Sequence, residues 1–310
     1  MKKLLITGLS SFLGWHLAEM AQTQGNSPVQ PAPDPLEATA SANPGWQVYG
    51  TYHSRPVQLA GVTAFPLDLT DFASLKLIIQ SLRPDAVLHV AALSSPNACQ
   101  SQPELSHQIN VIASCNLAGL CADAQIPCLF TSSEQVFDGR QPPYRETDPV
   151  CPINTYGEHK AAAEAGMQAR WPQVAICRLP LLFGVAPADS FIQPWIRSLR
   201  AGKPLDLFTD EIRNPAWAKD VAVGMFLALA QVQGIIHLGG PERISRYELG
   251  RLLAEVLQIS DPLLNPRRQS EVTMAAPRPP DVTLDSSLAF SLGYCPHGLR
   301  QALTLLKPQL

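Results

Sequence analysis

The chain has 310 residues, 46% of them hydrophobic, and a formal net charge of −3, which is enough for one large α/β domain and a smaller lobe. This near-neutral charge excludes the strongly basic surface of a nucleic-acid-binding protein. Seven scattered cysteines with no C-x-x-C spacing argue against a zinc site or a disulfide framework, and indicate reduced thiols in the cytoplasm.

Hydrophobic stretches in the chain are short. The longest, residues 221–230, cannot span a bilayer, and the apolar residues 4–6 are too few for the core of a signal peptide. We therefore expect a cytoplasmic protein without a membrane contact.

The N-terminal residues 2–8 have the pattern of a short buried strand, which runs directly into a glycine-rich turn and then a helix. Strand, glycine-rich turn and helix form the context that a dinucleotide site requires, although an ordinary βα turn is the alternative. Gly8 would permit the tight turn and Gly14 the close packing of helix on strand, with the helix N-terminus facing a pyrophosphate. The predicted cofactor contacts in this segment are Gly8, Ser10, Ser11, Phe12, Leu13 and Gly14.

Strand-like and helical runs then alternate along the chain, after a segment from Gly25 to Gly45 that is rich in Pro and Ala. We interpret that segment as a mobile surface insertion, because it lacks apolar periodicity. The alternation predicts an α/β fold with a doubly wound, parallel, Rossmann-type sheet. The predicted strands are 47–52, 62–66, 86–91, 128–132 and 174–179, and the predicted helices are 74–82, 104–124 and 154–170.

The pattern changes after Gly184. Helical stretches at 191–201, 219–231 and 246–258 mix with Pro-rich loops and one short strand, 235–238. We predict a dinucleotide-binding domain over residues 1–184 and a smaller mixed α/β substrate lobe over 185–310, with some segments returning to the main sheet.

The end of the second strand indicates the cofactor. An NAD site favours an acidic residue there, for the ribose hydroxyls, and the chain has none. His53, Ser54 and Arg55 stand there instead and would suit a 2′-phosphate. We predict NADP(H), with NAD(H) possible, although Arg55 could also be an ordinary solvated charge.

Ser133, Tyr156 and Lys160 are the candidate catalytic residues. Tyr156 and Lys160 are spaced i, i+4 and would share one face of a helix. A Tyr hydroxyl has a pKa near ~10, and a neighbouring ammonium group would lower it. With Ser133 holding a substrate carbonyl, the three would form a proton-donating site for carbonyl reduction. The alternative is a Tyr-x-x-x-Lys pair that arises by chance on a solvated helix face.

Together, Thr7-Gly8…Gly14, Ser133, Tyr156 and Lys160 resemble the extended short-chain dehydrogenases/reductases, with Ser11 where the family usually has a middle glycine. The resemblance implies that Asp68 and Leu69 approach the adenine, that Ala91 and Ala92 pass beside the cofactor, and that Tyr156 and Lys160 also contact it. Ser94 could face the substrate or lie in the next turn. His89 is expected to be a core histidine.

Within this family the chain most resembles the dTDP-4-dehydrorhamnose reductase group, through Val136–Gly139, Glu146–Pro149, Asp210–Pro215 and the segment 278–285. The related nucleotide-sugar 4,6-dehydratases carry Thr-Asp-Glu where this chain has Ser133-Glu134-Gln135. Dehydration needs a carboxylate base, and a Gln amide does not titrate usefully. The sequence therefore argues against a dehydratase.

The resemblance implies an NADPH-dependent reductase of a keto sugar nucleotide. The sequence offers no metal-ligand set, and a homodimer is one compatible assembly. Arg213 and Arg278 are candidates for the substrate diphosphate, which a guanidinium group fits, or else are surface ion pairs. Two alternatives stay open: a nucleotide-sugar epimerase that keeps NAD tightly bound, and a non-catalytic NADP-binding regulatory protein, as in the β subunit of methionine adenosyltransferase.

Overall fold

The computed structural model describes residues 1–23 and 45–309. The predicted insertion therefore lies outside the described residues, apart from Gly45. The strands are, in chain order, β1 (Lys2–Thr7), β2 (Trp46–Tyr52), β3 (Val62–Pro66), β4 (Ala86–His89), β5 (Cys128–Ser133), β6 (Ala175–Leu179), β7 (Leu182–Phe183), β8 (Leu205–Phe208), β9 (Ile212–Arg213), β10 (Ala216–Trp217), β11 (Gly234–His237), β12 (Ile244–Ser245) and β13 (Leu264–Arg267).

The α-helices are α1 (Phe12–Thr23), α2 (Phe72–Leu82), α3 (Pro96–Ser101), α4 (Pro103–His107), α5 (Ala113–Asp123), α6 (Thr155–Arg170), α7 (Ile192–Arg200), α8 (Ala218–Gln231), α9 (Arg246–Leu257), α10 (Ser287–Ser291) and α11 (Leu299–Leu306). A π-helical turn, Gln108–Ile112, joins α4 to α5, and 3₁₀ turns cover Glu134–Val136, Gln269–Glu271 and Lys307–Gln309. No helix within the described ranges has the length and apolar character needed to cross a bilayer.

The main sheet has seven strands in the order β11-β6-β5-β4-β1-β2-β3, and every neighbouring pair is parallel. The chain builds outward from β1 in one direction through β2 and β3, then returns to place β4 on the other side of β1. This reversal of strand order opens a crevice at the carboxyl ends of β1 and β4, where α/β proteins bind ligands. The predicted doubly wound parallel sheet is confirmed.

Both faces of the sheet are covered. Leu4 and Ile6 of β1 belong to the hydrophobic cluster that α1 and α8 complete, whereas Leu5 between them belongs to the cluster on the face of α2, α5 and α6. Because successive strand side chains point to opposite faces and both faces are buried, the strands are continuously apolar rather than alternating.

From Leu182 onwards, the chain contains more strands than its sequence pattern suggested. The single strand predicted there, β11, pairs with β6 in the main sheet. Short pairs form elsewhere: β7 with β10, β8 with β13 and β9 with β12. Four of these strands, β7, β9, β10 and β12, have only two residues, which is too short for a periodicity to be recognised from sequence. The division at residue 184 stays a prediction.

Candidate active site

The glycine-rich turn after β1 is shaped by close backbone contacts. Gly8 has a φ of 76° and a side chain there would place its Cβ 2.7 Å from the Ala91 Cα. A Cβ on Gly14 would lie 2.3 Å from the Gly8 carbonyl oxygen. Only glycine tolerates a positive φ of this kind together with such short contacts. The short distances show that the turn, the start of α1 and the segment after β4 are packed against one another at the crevice.

Ser11 has a structural role at the position where the family usually has glycine. Its hydroxyl accepts a hydrogen bond from the Gly14 N–H at 3.0 Å, and its own N–H donates to the Gly8 carbonyl at 2.9 Å. Ser11 thus caps the N-terminus of α1. The free N–H groups that remain in the first turn, with the positive end of the helix dipole, fit the diphosphate of a dinucleotide.

A cavity of about 420 Å³ lies beside the carboxyl ends of β2 and β3. It is lined by His53, Pro66, Leu67, Asp68, Ser74, Leu77 and Ile78. The Asp68 Oδ1 atom accepts hydrogen bonds from the Thr70 hydroxyl and N–H at 2.7 and 2.9 Å, which lower the pKa of that carboxyl. Ser54 and Arg55 are exposed on the turn that follows β2.

The segment after β4 is held by an amide that the sequence analysis did not single out. Asn110, in the π-helical turn, accepts from the Leu93 N–H at 2.9 Å and donates to the Leu93 carbonyl at 3.0 Å. These bonds fix the chain just after Ala91 and Ala92. π-Helical turns often occur at functional sites, but sequence periodicity does not reveal them.

His89 is a core residue, as expected. Its ring nitrogens lie 2.7 Å from the Thr7 hydroxyl and 2.9 Å from the Ser114 hydroxyl. Burial lowers the His89 pKa to about 3, so the ring is neutral at physiological pH and takes no part in proton exchange.

The three candidate catalytic residues lie together. Ser133 ends β5, while Tyr156 and Lys160 lie on successive turns of α6, and all three are buried. Against the larger effect of burial, the Ser133 side chain lowers the pKa of Tyr156. The Lys160 ammonium donates to the Thr131 carbonyl at 2.8 Å and lies 5.9 Å from the centre of the Tyr156 ring.

The pKa of Tyr156 differs from the sequence-based expectation. Burial raises it well above the ordinary value, and the effect of the Ser133 side chain offsets this only in part. Burial also lowers the pKa of Lys160 to about 8. Desolvation therefore outweighs the predicted effect of the ammonium group on the phenol, because both groups are removed from water.

Asn154 supports the start of α6 and was also missed. Its Oδ1 accepts from the Gly157 N–H at 2.9 Å, and its Nδ2 donates to Gln135 Oε1 and to the Pro277 carbonyl, both at 3.0 Å. An Asn just before a helical run is a recognised N-cap signal. Its bonds to two other segments are visible only in three dimensions.

The predicted substrate contacts have different surroundings. Ser94 is exposed, and the neighbouring Ser95 caps α3 by accepting from the Ala98 N–H at 3.3 Å. Arg278 is half-buried and donates to Asn97 Oδ1 at 3.2 Å.

Arg213 departs from its predicted role. Only 2% of the residue is exposed. Its guanidinium lies 3.0 Å from a Glu134 carboxylate oxygen and 3.4 Å from one of Glu211, and it donates to the Ile212 carbonyl at 2.6 Å. Because these protein groups occupy its donors, Arg213 is not placed to receive a substrate diphosphate.

Comparison with known proteins gives similarity both to a methionine adenosyltransferase subunit and to a probable reductase. The chain is 32% identical over 258 residues to methionine adenosyltransferase 2 subunit beta of Xenopus laevis, covering 80% of this chain and 75% of that protein. It is 29% identical over 249 residues to a probable low-salt glycan biosynthesis reductase, Agl14, of Haloferax volcanii, covering 78% and 83% of the two chains.

Among solved structures, dTDP-4-dehydrorhamnose reductase of Bacillus anthracis in complex with NADP superposes with a TM-score of 0.83 over 100% of both chains, at 21% identity. This likeness shows that the folds agree. The family model described as the RmlD substrate binding domain matches residues 1–306. The chain therefore belongs to the RmlD substrate binding domain family, within the extended short-chain dehydrogenases/reductases.

Proposed function

We propose that this protein is an NADPH-dependent reductase of a keto sugar nucleotide. The observation that carries the proposal is the cluster of Ser133, Tyr156 and Lys160 at the carboxyl end of the sheet, on the same edge as the glycine-rich turn. A proton donor and a dinucleotide site on one crevice are what carbonyl reduction requires.

The chain's own residues would handle the proton. A bound nicotinamide would supply hydride to the carbonyl carbon. The Ser133 hydroxyl would hold and polarise the carbonyl oxygen, and the Tyr156 hydroxyl would donate its proton to that oxygen. The tyrosinate that remains would be stabilised by the Lys160 ammonium and would recover a proton from solvent.

NADP(H) is the favoured cofactor. The turn after β2 presents Arg55 and Ser54 to solvent, and no acidic residue occupies the end of that strand. His53 and Asp68 line the neighbouring cavity, which is suitably placed for an adenosine.

All seven cysteines are free thiols, which supports a reducing, cytoplasmic environment.

A keto sugar nucleotide is the favoured substrate class because of the family and its reductase members. Arg278 is half-buried and hydrogen-bonded to Asn97, and it is the candidate that we retain for binding the diphosphate of the substrate. We no longer propose that role for Arg213.

One observation favours a second candidate, a non-catalytic regulatory subunit. The similarity to methionine adenosyltransferase 2 subunit beta, at 32% identity, is at least as high as that to the probable reductase of Haloferax volcanii, at 29%. The Ser133, Tyr156 and Lys160 cluster supports the enzyme as the first choice.

The test is a screen of keto sugar nucleotides that follows NADPH absorbance, with wild type and Tyr156→Phe in parallel. Turnover should fall by roughly 10²–10⁴ in the variant, as for a lost general acid, while NADPH binding should change little. Ser133→Ala should impair turnover alone, and Lys160→Ala both turnover and binding. Equal turnover by wild type and Tyr156→Phe would refute the mechanism.

Mass spectrometry of ligands that co-purify separates the alternatives. Retained NAD would favour an epimerase. NADPH binding without turnover, together with tight binding of a methionine adenosyltransferase catalytic subunit, would favour the regulatory protein.

A further inference from the structure

The segment that carries Arg278 borders the catalytic cluster. The carbonyl of the preceding residue, Pro277, accepts a hydrogen bond from Asn154 Nδ2 at 3.0 Å. Asn154 caps the helix that carries Tyr156, and its Nδ2 also donates to Gln135 Oε1 in the 3₁₀ turn after β5. Arg278 therefore lies one residue from a contact that joins both catalytic segments.

Helix α3 holds the same segment through one polar side chain. Asn97, exposed in the first turn of that helix, accepts two hydrogen bonds through its single side-chain oxygen. The Ala276 N–H and the Arg278 Nη2 group each donate to it at 3.2 Å. Because Ala276 is fully buried, the first bond fixes the backbone of the segment and the second fixes the guanidinium group relative to it.

The rest of the Arg278 guanidinium group has no protein acceptor. Within the part of the chain that the structure describes, its other N–H groups make no hydrogen bond and it forms no ion pair with a carboxylate. Glu211, whose charge acts on Arg278, instead lies 3.4 Å from Arg213 Nη2 and 3.8 Å from Arg246 Nε. A half-buried guanidinium group with open donors and no counter-ion fits the oxygens of a diphosphate.

The chemistry of the Asn97 side chain is as important as its position. Arg213 is held by the carboxylates of Glu134 and Glu211, at 3.0 and 3.4 Å, which offset its charge. The Asn97 amide carries no charge, so it fixes the Arg278 guanidinium group and leaves the positive charge available to a ligand. Holding the side chain in advance also reduces the conformational entropy that is lost when a ligand binds.

We propose that Asn97 is a positioning residue for the substrate: it holds Arg278 in the orientation that receives the diphosphate, without neutralising its charge. This inference rests on the proposed function, in which the substrate is a keto sugar nucleotide. Asn97 acts through Arg278 rather than on the reacting carbonyl. It therefore sets the affinity for the nucleotide part of the substrate and leaves the proton transfer from Tyr156 unchanged.

Calorimetry on protein saturated with NADP⁺ tests the contact directly. The ligands are UDP, dTDP, GDP and CDP, which carry the diphosphate without the keto sugar. Arg278→Met should weaken binding of the preferred ligand by about 10- to 100-fold, as for a lost charge-assisted hydrogen bond. Asn97→Ala should weaken it by about two- to tenfold, because the Arg278 side chain must then be ordered on binding. Unchanged affinity in Asn97→Ala would overturn the inference.

Asn97→Asp separates charge from position. The carboxylate keeps an oxygen for both donors but pairs with Arg278 and repels the ligand, so diphosphate binding should weaken by about tenfold or more. Gln102→Glu is the matched control, since Gln102 is exposed at the end of the same helix. Its affinity should stay within about twofold of wild type, because an exposed charge is screened by salt. Equal losses in the two variants would contradict a role of the contact itself.

A double-mutant cycle shows whether Asn97 acts through Arg278. In the Arg278→Met background, Asn97→Ala should cause little further loss of affinity, because the group that it positions is already absent. Urea unfolding and NADPH binding, measured on the same four proteins, confirm that each variant is folded. Losses that add in full would refute the inference, since Asn97 would then act independently of Arg278.

Steady-state kinetics with a keto sugar nucleotide gives a second readout. The diphosphate is bound equally in the ground state and the transition state, so KM should rise in Asn97→Ala while kcat changes little. A fall in kcat at unchanged KM would instead place Asn97 in the chemical step and overturn the inference.

The binding measurements keep this inference separate from the proposed function. Wild type that binds none of the four nucleoside diphosphates would overturn the substrate class of the proposed function, and the role of Asn97 with it. Wild type that binds one of them, with the same affinity in Asn97→Ala and Asn97→Asp, would overturn the role of Asn97 alone.

Discussion

Replacing Asn154 by alanine should destabilise the protein by about 3 kcal/mol, because this one side chain joins three segments at the site. Only 2% of Asn154 is exposed. Losing the N-cap hydrogen bond that the Gly157 N–H donates to Asn154 costs about 1 kcal/mol. The Gln135 side-chain oxygen and the Pro277 carbonyl each lose a donor, at about 1 kcal/mol apiece.

Urea unfolding of three proteins separates these contributions. Asn154→Ser retains an acceptor for the Gly157 N–H, but its side chain is too short to reach Gln135 and Pro277. We expect it to recover about 1 kcal/mol relative to Asn154→Ala. A loss in Asn154→Ala below about 1 kcal/mol would refute the reasoning, since the cap alone accounts for that much.

Three further predictions concern cofactor choice and buried charge. Calorimetry should show at least a roughly tenfold preference of wild type for NADPH over NADH, reduced in Arg55→Ala; equal affinities in wild type would contradict this. Urea unfolding of Arg178→Met should show a loss of about 3–5 kcal/mol, because Glu164 is left buried without its partner. The double variant Glu164→Gln, Arg178→Met should have nearly the stability of wild type. Equal losses in the single and the double variant would show that the unpaired charge is not responsible. Burial lowers the pKa of both His89 and His237 to about 3, so between about pH 6.5 and pH 3 the unfolded chain binds more protons than the folded chain. The free energy of unfolding should therefore fall as the pH drops through this range, by up to about 1.4 kcal/mol per pH unit for each histidine. Stability that does not fall over this pH range would contradict the last prediction.

The sequence predicted best those features that depend on residues close together in the chain. The N-terminal strand, the glycine-rich turn and the start of α1 are contiguous, and their geometry depends mainly on Gly8 and Gly14. Tyr156 and Lys160 lie on one helix, so their spacing alone places them on one face. The parallel sheet followed from the alternation of apolar strands and helices, because strands buried on both faces are recognisable without their neighbours.

Local pattern was less informative about roles that depend on burial. Arg213 and Arg278 were equivalent candidates as sequence, yet one is buried against Glu134 and the other is half-exposed. The pKa of Tyr156 was expected to fall because Lys160 is near, but removal from water has the larger effect. Neither exposure nor desolvation can be read from residue spacing.

The sequence by itself determined the parallel sheet, the glycine-rich turn and the helix that carries Tyr156 and Lys160, since each depends on residues close together in the chain. Only the tertiary structure decided that β11 joins the main sheet, that Asn154 links the 3₁₀ turn Glu134–Val136 to Pro277, and that Arg213 pairs with Glu134. These contacts join segments far apart in the chain, and their energies depend on burial, which exists only once the chain has folded.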